Sequence, residues 1–187
     1  AAWSPDGKAI AVGLASLAQN SYASYSLGLV SVADGSLKIL KTPNLLKTAP
    51  GKMVFTPDGR FMIIDLPQSE TDPKHDIFVI STDGRAERRI AEHPAEDAVL
   101  GWIQGSNELL FLSDRTGTND AWIVGIADGG SRGEPRLVWR DLGRAEPLGI
   151  SRDGSFFYRR GAEMTDIAIA SIDLEKRAMV EPPKTLS

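Results

Sequence analysis

The chain has 187 residues, 42% hydrophobic and 25% charged, with a formal net charge of −4, enough to bury a core and without a positive field for nucleic acid or an anionic membrane surface. There is no cysteine, which removes disulfides, thiolate metal sites and a cysteine nucleophile together. No apolar stretch approaches the length of a spanning helix and no basic-then-apolar leader opens the sequence, so no membrane insertion is expected, while the start at Ala1-Ala2-Trp3 suggests a piece of a longer or processed polypeptide.

The chain opens on Trp3-Ser4-Pro5-Asp6-Gly7-Lys8. Proline fixes φ at the first corner of a tight turn, aspartate bonds the backbone two residues on, and glycine accepts positive φ, so a turn is predicted here. Apolar runs over 9–12 and 27–32 predict buried strands. Residues 9–33 hold no charged side chain but include Asn20, Tyr22 and Tyr25, the composition of a recognition loop or of a surface packed against a neighbouring unit. Val32-Ala33-Asp34-Gly35 predicts a second turn, into a charge-interleaved outer strand over 37–40. Next, Met53-Val54-Phe55 leads into Thr56-Pro57-Asp58-Gly59-Arg60, with strands over 61–66 and 77–80, a turn at Ser81-Thr82-Asp83-Gly84 and an outer strand over 88–91. Leu100-Gly101-Trp102 precedes a degraded turn, Ile103-Gln104-Gly105-Ser106-Asn107, followed by strands over 109–112 and 121–126, the turn Ile126-Ala127-Asp128-Gly129 and an outer strand over 136–139. The last unit has Ile150-Ser151-Arg152-Asp153-Gly154-Ser155, runs over 156–158 and 167–172, and Ser171-Ile172-Asp173-Leu174 without the glycine.

The leading apolar positions 3, 55, 102 and 150 lie 52, 47 and 48 residues apart, and the Asp-Gly series runs in phase with them. Four strands per unit in tandem, with no helical periodicity, predict an all-β propeller segment. It has four blades of four antiparallel strands, over about 1–50, 51–97, 98–145 and 146–187. Arg132, Arg136, Arg140 and Arg144 mimic a helical stripe, but Gly133, Pro135 and Gly143 exclude a helix there.

Phe111-Leu112-Ser113-Asp114-Arg115-Thr116-Gly117-Thr118-Asn119-Asp120-Ala121-Trp122-Ile123-Val124, with Ala127-Asp128-Gly129-Gly130 beyond it, resembles the repeat of the TolB-like β-propellers, as does Thr56-Pro57-Asp58-Gly59-Arg60 followed by Asp76-Ile77-Phe78-Val79. The same repeat style occurs in the non-catalytic propellers of prolyl oligopeptidase family peptidases and in bacterial sensor propellers. The resemblance covers essentially the whole chain and implies the fold. For function it implies a binding or scaffold module, and a periplasmic or extracytoplasmic location rests on it alone. The third unit departs from the pattern by lacking Pro-Asp-Gly, and the fourth lacks the proline at 152 and the glycine at 174. Four blades are fewer than the family's usual ring. Part of a larger ring, two copies completing one another, and an unusually tight four-blade closure are the three readings, and open blade edges add an expectation of self-association.

In a propeller the uniform turns emerge on one face and the variable connections on the other, and recognition is expected on the variable face. That face carries the inner connections at 13–26, 67–75, 113–119 and 159–165 and the interblade ones at 42–52, 92–97 and 141–147; the inner set supplies the candidate contacts Tyr22, Tyr25, Gln68, His75, Arg115, Asn119 and Arg159, with tyrosine and arginine as anchors for a protein or peptide partner or a small ligand. Arginines 132, 136, 140, 144, 152, 159 and 160 read either as a basic sector for an acidic or phosphorylated partner or as solvated strand charge. Asp72-Pro73-Lys74-His75-Asp76 gathers two carboxylates and an imidazole, but Lys74 opposes a cation and no second histidine cluster exists, so no metal is expected. Asp76 instead aligns with Asp120 and Asp166 as a strand-opening residue, His75 reads as exposed, and His93 as a surface residue beside Pro94. No Gly-x-Ser-x-Gly elbow, phosphate loop or distinctive carboxylate pair is legible, and Gly129-Gly130-Ser131-Arg132-Gly133 reads as a flexible strand connection. A module without catalysis or cofactor is therefore expected. The alternative is the substrate-gating propeller of a prolyl oligopeptidase family serine peptidase.

Overall fold

The computed structural model describes the chain except for residues 17–23, 42–49, 68–71, 73, 91, 144, 152, 162–164, 174, 177 and 187. Blade 1 comprises β1 (Ala2–Trp3), β2 (Ala9–Ser16), β3 (Ser24–Ser31) and β4 (Leu37–Lys41); blade 2 comprises β5 (Met53–Phe55), β6 (Phe61–Pro67), β7 (His75–Ser81) and β8 (Glu87–Ile90). Blade 3 comprises β9 (Asp97–Ile103), β10 (Glu108–Ser113), β11 (Asp120–Ala127) and β12 (Gly130–Trp139). Blade 4 comprises β13 (Ala145–Ile150), β14 (Ser155–Gly161) and β15 (Thr165–Asp173), with its outer edge shared by β16 (Ala178–Met179) and β17 (Lys184–Leu186). Every pairing is antiparallel and follows chain order within its sheet, except that β17 returns to β15. No helix occurs among the described residues.

The repeated turns form as their chemistry dictates. Thr56 Oγ1 donates to Asp58 at 2.6 Å, Asp58 accepts from the Arg60 backbone N–H at 3.0 Å, and the Gly59 N–H closes on the Thr56 carbonyl at 2.8 Å. Ser4, Asp6, Gly7 and Lys8 repeat the arrangement in blade 1. In the second series, hydrogen bonds from Ser31 and Ser36 hold the exposed Asp34 carboxyl at about 2. A carboxylate that accepts from the backbone it turns is an internal cap, favoured in its charged form.

Across the strands, the triplets Trp3–Ile10–Val30, Phe55–Met62–Ile80, Trp102–Leu109–Val124 and Ile150–Phe156–Ala170 occupy equivalent positions in successive blades. These form the front of each blade. Alternation along the strands places the pairs Ala11–Leu29, Ile63–Val79, Leu110–Ile123 and Phe157–Ile169 on the back. Fronts pack on the preceding backs in three apolar seams. Ala11 and Leu27 meet Phe55, Met62 and Ile80; Ile63 and Val79 meet Trp102, Leu109 and Val124; Leu110 and Ile123 meet Phe156 and Tyr158. The seams join blades 1 to 2, 2 to 3 and 3 to 4, and none of the three joins blade 4 to blade 1.

Two expectations need correcting. The glycine-rich stretch after Asp128 is not a loop: β12 begins at Gly130, and Gly133, at φ +78°, sits where the pairing with β11 shifts register, a bulge that glycine permits. The outer strand of blade 4 is in two pieces, because Pro182 and Pro183 between them have no N–H to continue a ladder.

Candidate binding face

At the variable end of blades 2 and 3 the strand termini gather a set of buried aspartates, each with a specific partner. Asp65 of β6 is 6% exposed; its Oδ1 accepts from the Val99 N–H of the next blade at 3.0 Å, and its Oδ2 lies 3.0 Å from His75 Nδ1 at the start of β7. A Cβ on Gly51 would fall 1.8 Å from Asp65 Oδ2, so only glycine leaves room for this carboxylate. The hydrogen bond to Asp65 raises the His75 pKa, burial lowers it, and the Asp65 and Glu96 charges add to the rise. The His75 backbone N–H also donates to Glu96 at 3.0 Å, tying this connection to the next blade.

Asp97, fully buried at the start of β9, meets Arg115 Nη2 at 3.1 Å, while Arg115 Nε donates to Ser113 Oγ at 2.8 Å. The guanidinium lies 5.1 Å from the Phe111 ring centroid and 5.0 Å from that of Trp122, and the side chain is 10% exposed. Burial raises the Asp97 pKa, against hydrogen bonding from Ser113 and the nearby Arg115 charge. Asp120 opens β11 and accepts from Thr116, from Thr118 at 2.8 Å and from the Asp141 N–H at 2.8 Å. Asp76 is fully buried and paired with Arg89 at 2.9 Å. Asp97 and Asp120 at strand starts, and Asp65 within β6, tie the connections of the variable end to the scaffold.

The expected contact residues divide. His75 and Arg115 come to the seam between blades 2 and 3, but both are built in: His75 is 17% exposed and bonded to Asp65, not simply exposed. Asn119 is half-buried and its carbonyl accepts from the Leu142 N–H at 2.8 Å. Arg159 is exposed on blade 4 and paired with Glu146, and Tyr25 is half-buried against the seam of blades 1 and 2. Tyr22 and Gln68 lie outside the described residues. Sequence reading missed Asp65, and it placed Lys52 and Asp97 only as the last residues of the interblade connections at 42–52 and 92–97 without singling them out. Lys52 lines a cleft of about 640 Å³ bounded by the inner strands of all four blades, and its Nζ is buried without a hydrogen-bond partner among the described residues. Burial there lowers its pKa.

No family model matches the sequence, and no curated protein matches it significantly. Solved structures do. TolB from Acinetobacter baumannii superposes with a TM-score of 0.65 at 18% identity, over 99% of this chain and 42% of that one. A putative TolB from Agrobacterium tumefaciens gives 0.67 at 19% identity, over 99% and 60%. Dipeptidyl peptidase 4 from Porphyromonas gingivalis gives 0.56 at 13% identity, over 99% and 30%. The chain thus spans about half the length of the TolB chains it resembles. In fold, these 187 residues are four consecutive blades of a TolB-like β-propeller.

Proposed function

We propose that the chain is a non-catalytic recognition module that takes a protein or peptide partner on its variable face. The observation carrying this reading is the asymmetry between the two ends. The turn end is uniform, with its polar groups spent on its own backbone. The other end carries dissimilar connections held in place by buried Asp65, Asp97 and Asp120, and such pre-organisation lowers the ordering cost of binding. Tyr25, Asn119 and Arg159, with Tyr22 and Gln68 from the same connections, are the proposed contacts, with His75 and Arg115 as supports. The second reading, a substrate-gating propeller of a serine peptidase, is favoured by the match to a peptidase chain of which this one covers 30%.

The absence of cysteine makes the test direct. Single variants Lys74→Cys and Asn119→Cys on the variable face, and Lys8→Cys and Arg85→Cys on the turn face, are coupled to a bulky maleimide-polyethylene glycol. They are then compared in capture of a partner isolated with the unmodified chain. Blocked capture at 74 and 119 with retained capture at 8 and 85 is the expected result, and the opposite pattern overturns the assignment. A peptidase domain elsewhere in the polypeptide, with peptide entry altered by the same adducts, would establish the second reading.

A further inference from the structure

We propose that His75 regulates partner recognition at the variable end of blades 2 and 3: carrying a proton it keeps Glu96 clasped to blade 2, and losing that proton releases Glu96, so that recognition weakens as pH rises. Such control rests on the reading of the variable face as the recognition surface.

Glu96 is the pivot between two connections that carry proposed contacts. Its side chain accepts from the His75 N–H at 3.0 Å, and its own N–H donates to Asp114 Oδ1 at 2.9 Å. Beside it, Lys74 Nζ donates to the Pro94 carbonyl at 3.0 Å. The connections at 67–75 and 113–119 are therefore joined through the interblade connection at 92–97. Glu96 is exposed, so its carboxylate has water as an alternative partner and the clasp is free to open.

Asp65 has no such freedom. Its Oδ1 accepts from the Val99 N–H, its side chain is 6% exposed, and Gly51 backs it so closely that a Cβ there would lie 1.8 Å from Oδ2. His75 Nδ1, 3.0 Å from Asp65 Oδ2, directs its hydrogen at a carboxylate that cannot retreat. A neutral ring protonated at Nδ1 keeps this bond, so what titration changes is the charge between Asp65 and Glu96. The charges acting on the ring are Asp65 from β6 and Glu96 from the connection to β9. Their neighbours are already matched: Asp76 on β7 pairs with Arg89, while Asp97 at the start of β9 pairs with Arg115 and also feels His93. Protonated, His75 is a cation between two carboxylates; neutral, it leaves both uncompensated in a poorly solvated seam. Because Asp65 is fixed, the repulsion is relieved by Glu96 swinging into water, which gives up its bond to the His75 N–H.

The sign follows from linkage. A partner that needs the clasped connections binds the protonated form more tightly, so binding takes up a proton. Affinity then falls as pH rises through the His75 midpoint, which lies above the ordinary value of 6.5.

The clasp is tested first without a partner, by an NMR pH titration of the unmodified chain. The Glu96 and His75 amide resonances should shift with the midpoint of the His75 ring. Glu96→Gln should lower that midpoint, and His75→Gln should remove the common transition from the Glu96 amide. A Glu96 amide that does not move across the ring's midpoint, or a midpoint unchanged in Glu96→Gln, refutes the proposal; Glu96→Gln, at an exposed position, keeps the test decisive if His75→Gln fails to fold. With the partner of the adduct experiment, Kd should rise about fivefold or more between about pH 6 and pH 8 for the unmodified chain and stay nearly constant for His75→Gln. A constant Kd in the unmodified chain, or a rise that survives in His75→Gln, refutes control by His75, and if the Asn119→Cys adduct still blocks capture the recognition face stands. Capture that survives that adduct refutes the face itself, and its control with it.

Discussion

Replacing Arg115 with methionine removes the charge that faces Asp97 while keeping an apolar stem between Phe111 and Trp122. Asp97 is fully buried, with Arg115 Nη2 3.3 Å from Oδ1 and 3.1 Å from Oδ2. Removing one member of such a pair costs about 3–5 kcal/mol, and loss of a partly desolvated cation over two rings adds about 1 kcal/mol. Hydrogen bonding from Ser113 remains, and the carboxyl can take up a proton, so the low end, about 3 kcal/mol at neutral pH, is expected. For a chain of this length that corresponds to a fall of about 6–12 °C in Tm. The pH dependence has a definite sign. Burial already raises the Asp97 pKa above its ordinary value of 3.8, and loss of Arg115 raises it further. The folded state then binds a proton that the unfolded state has released, so stability falls as pH rises above the ordinary carboxylate range. Thermal and urea denaturation should show a smaller deficit at about pH 5 than at about pH 8. Adding Asp97→Asn should restore most of the loss at the higher pH. An equal deficit at both pH values, or no recovery in the double variant, would refute the buried-pair reasoning.

Gly129 and Gly35 separate crowding from backbone strain. Both have positive φ, +74° and +70°, but a Cβ at 129 would lie 2.5 Å from Phe61 Cε1 whereas at 35 it meets nothing within 4 Å. Gly35→Ala should cost about 1 kcal/mol and Gly129→Ala about 2–4 kcal/mol by urea denaturation; equal costs would show that the Phe61 ring simply yields. His75 should titrate by NMR with a midpoint above its ordinary value of 6.5, because protonation strengthens its bond to Asp65. Its stabilisation is complete below that value and is lost as pH rises through the folded midpoint. His75→Gln should flatten the stability profile in that window, and a midpoint at or below the ordinary value would contradict the assignment.

The blades were legible because their punctuation is local. Pro-Asp-Gly and Asp-Gly specify a turn within four residues, and the apolar runs between them have nowhere to go but a strand. Even the degraded third turn keeps glycine at 105 with φ +75°. What escaped is the pairing of polar residues across strands. Asp65 and His75 are ten positions apart in sequence but diagonal neighbours across β6 and β7, where Pro67 opposes His75 and Asp65 opposes Ile77. Asp97 meets Arg115 because Ser113 opposes Asp97. Both depend on register, which composition does not contain. One signal was available: Asp65 is a lone carboxylate inside the apolar run from Phe61 to Leu66, a placement that requires a buried partner. The extent of β12 escaped for a different reason. Gly-Gly-Ser-Arg-Gly reads as a loop, yet an outer strand paired along one edge tolerates glycine at a bulge.

The arc of three seams also orders the molecule in time. Among the described residues the three apolar seams join only neighbouring blades, so opening one blade breaks one seam for blade 1 or blade 4 and two for blade 2 or blade 3. Amide exchange should therefore be graded along the chain. The N–H groups of Ile63, Val79, Leu109 and Phe111, between two covered faces, exchange through the rarest openings, whereas those of Ile10 and Val30 at one end and Phe157 and Ile169 at the other exchange through the terminal blade lifting away alone. Blades 2 and 3 can thus stay folded in these 187 residues while blade 1 or blade 4 opens, and proteolysis of the 187-residue chain should follow the population of those openings.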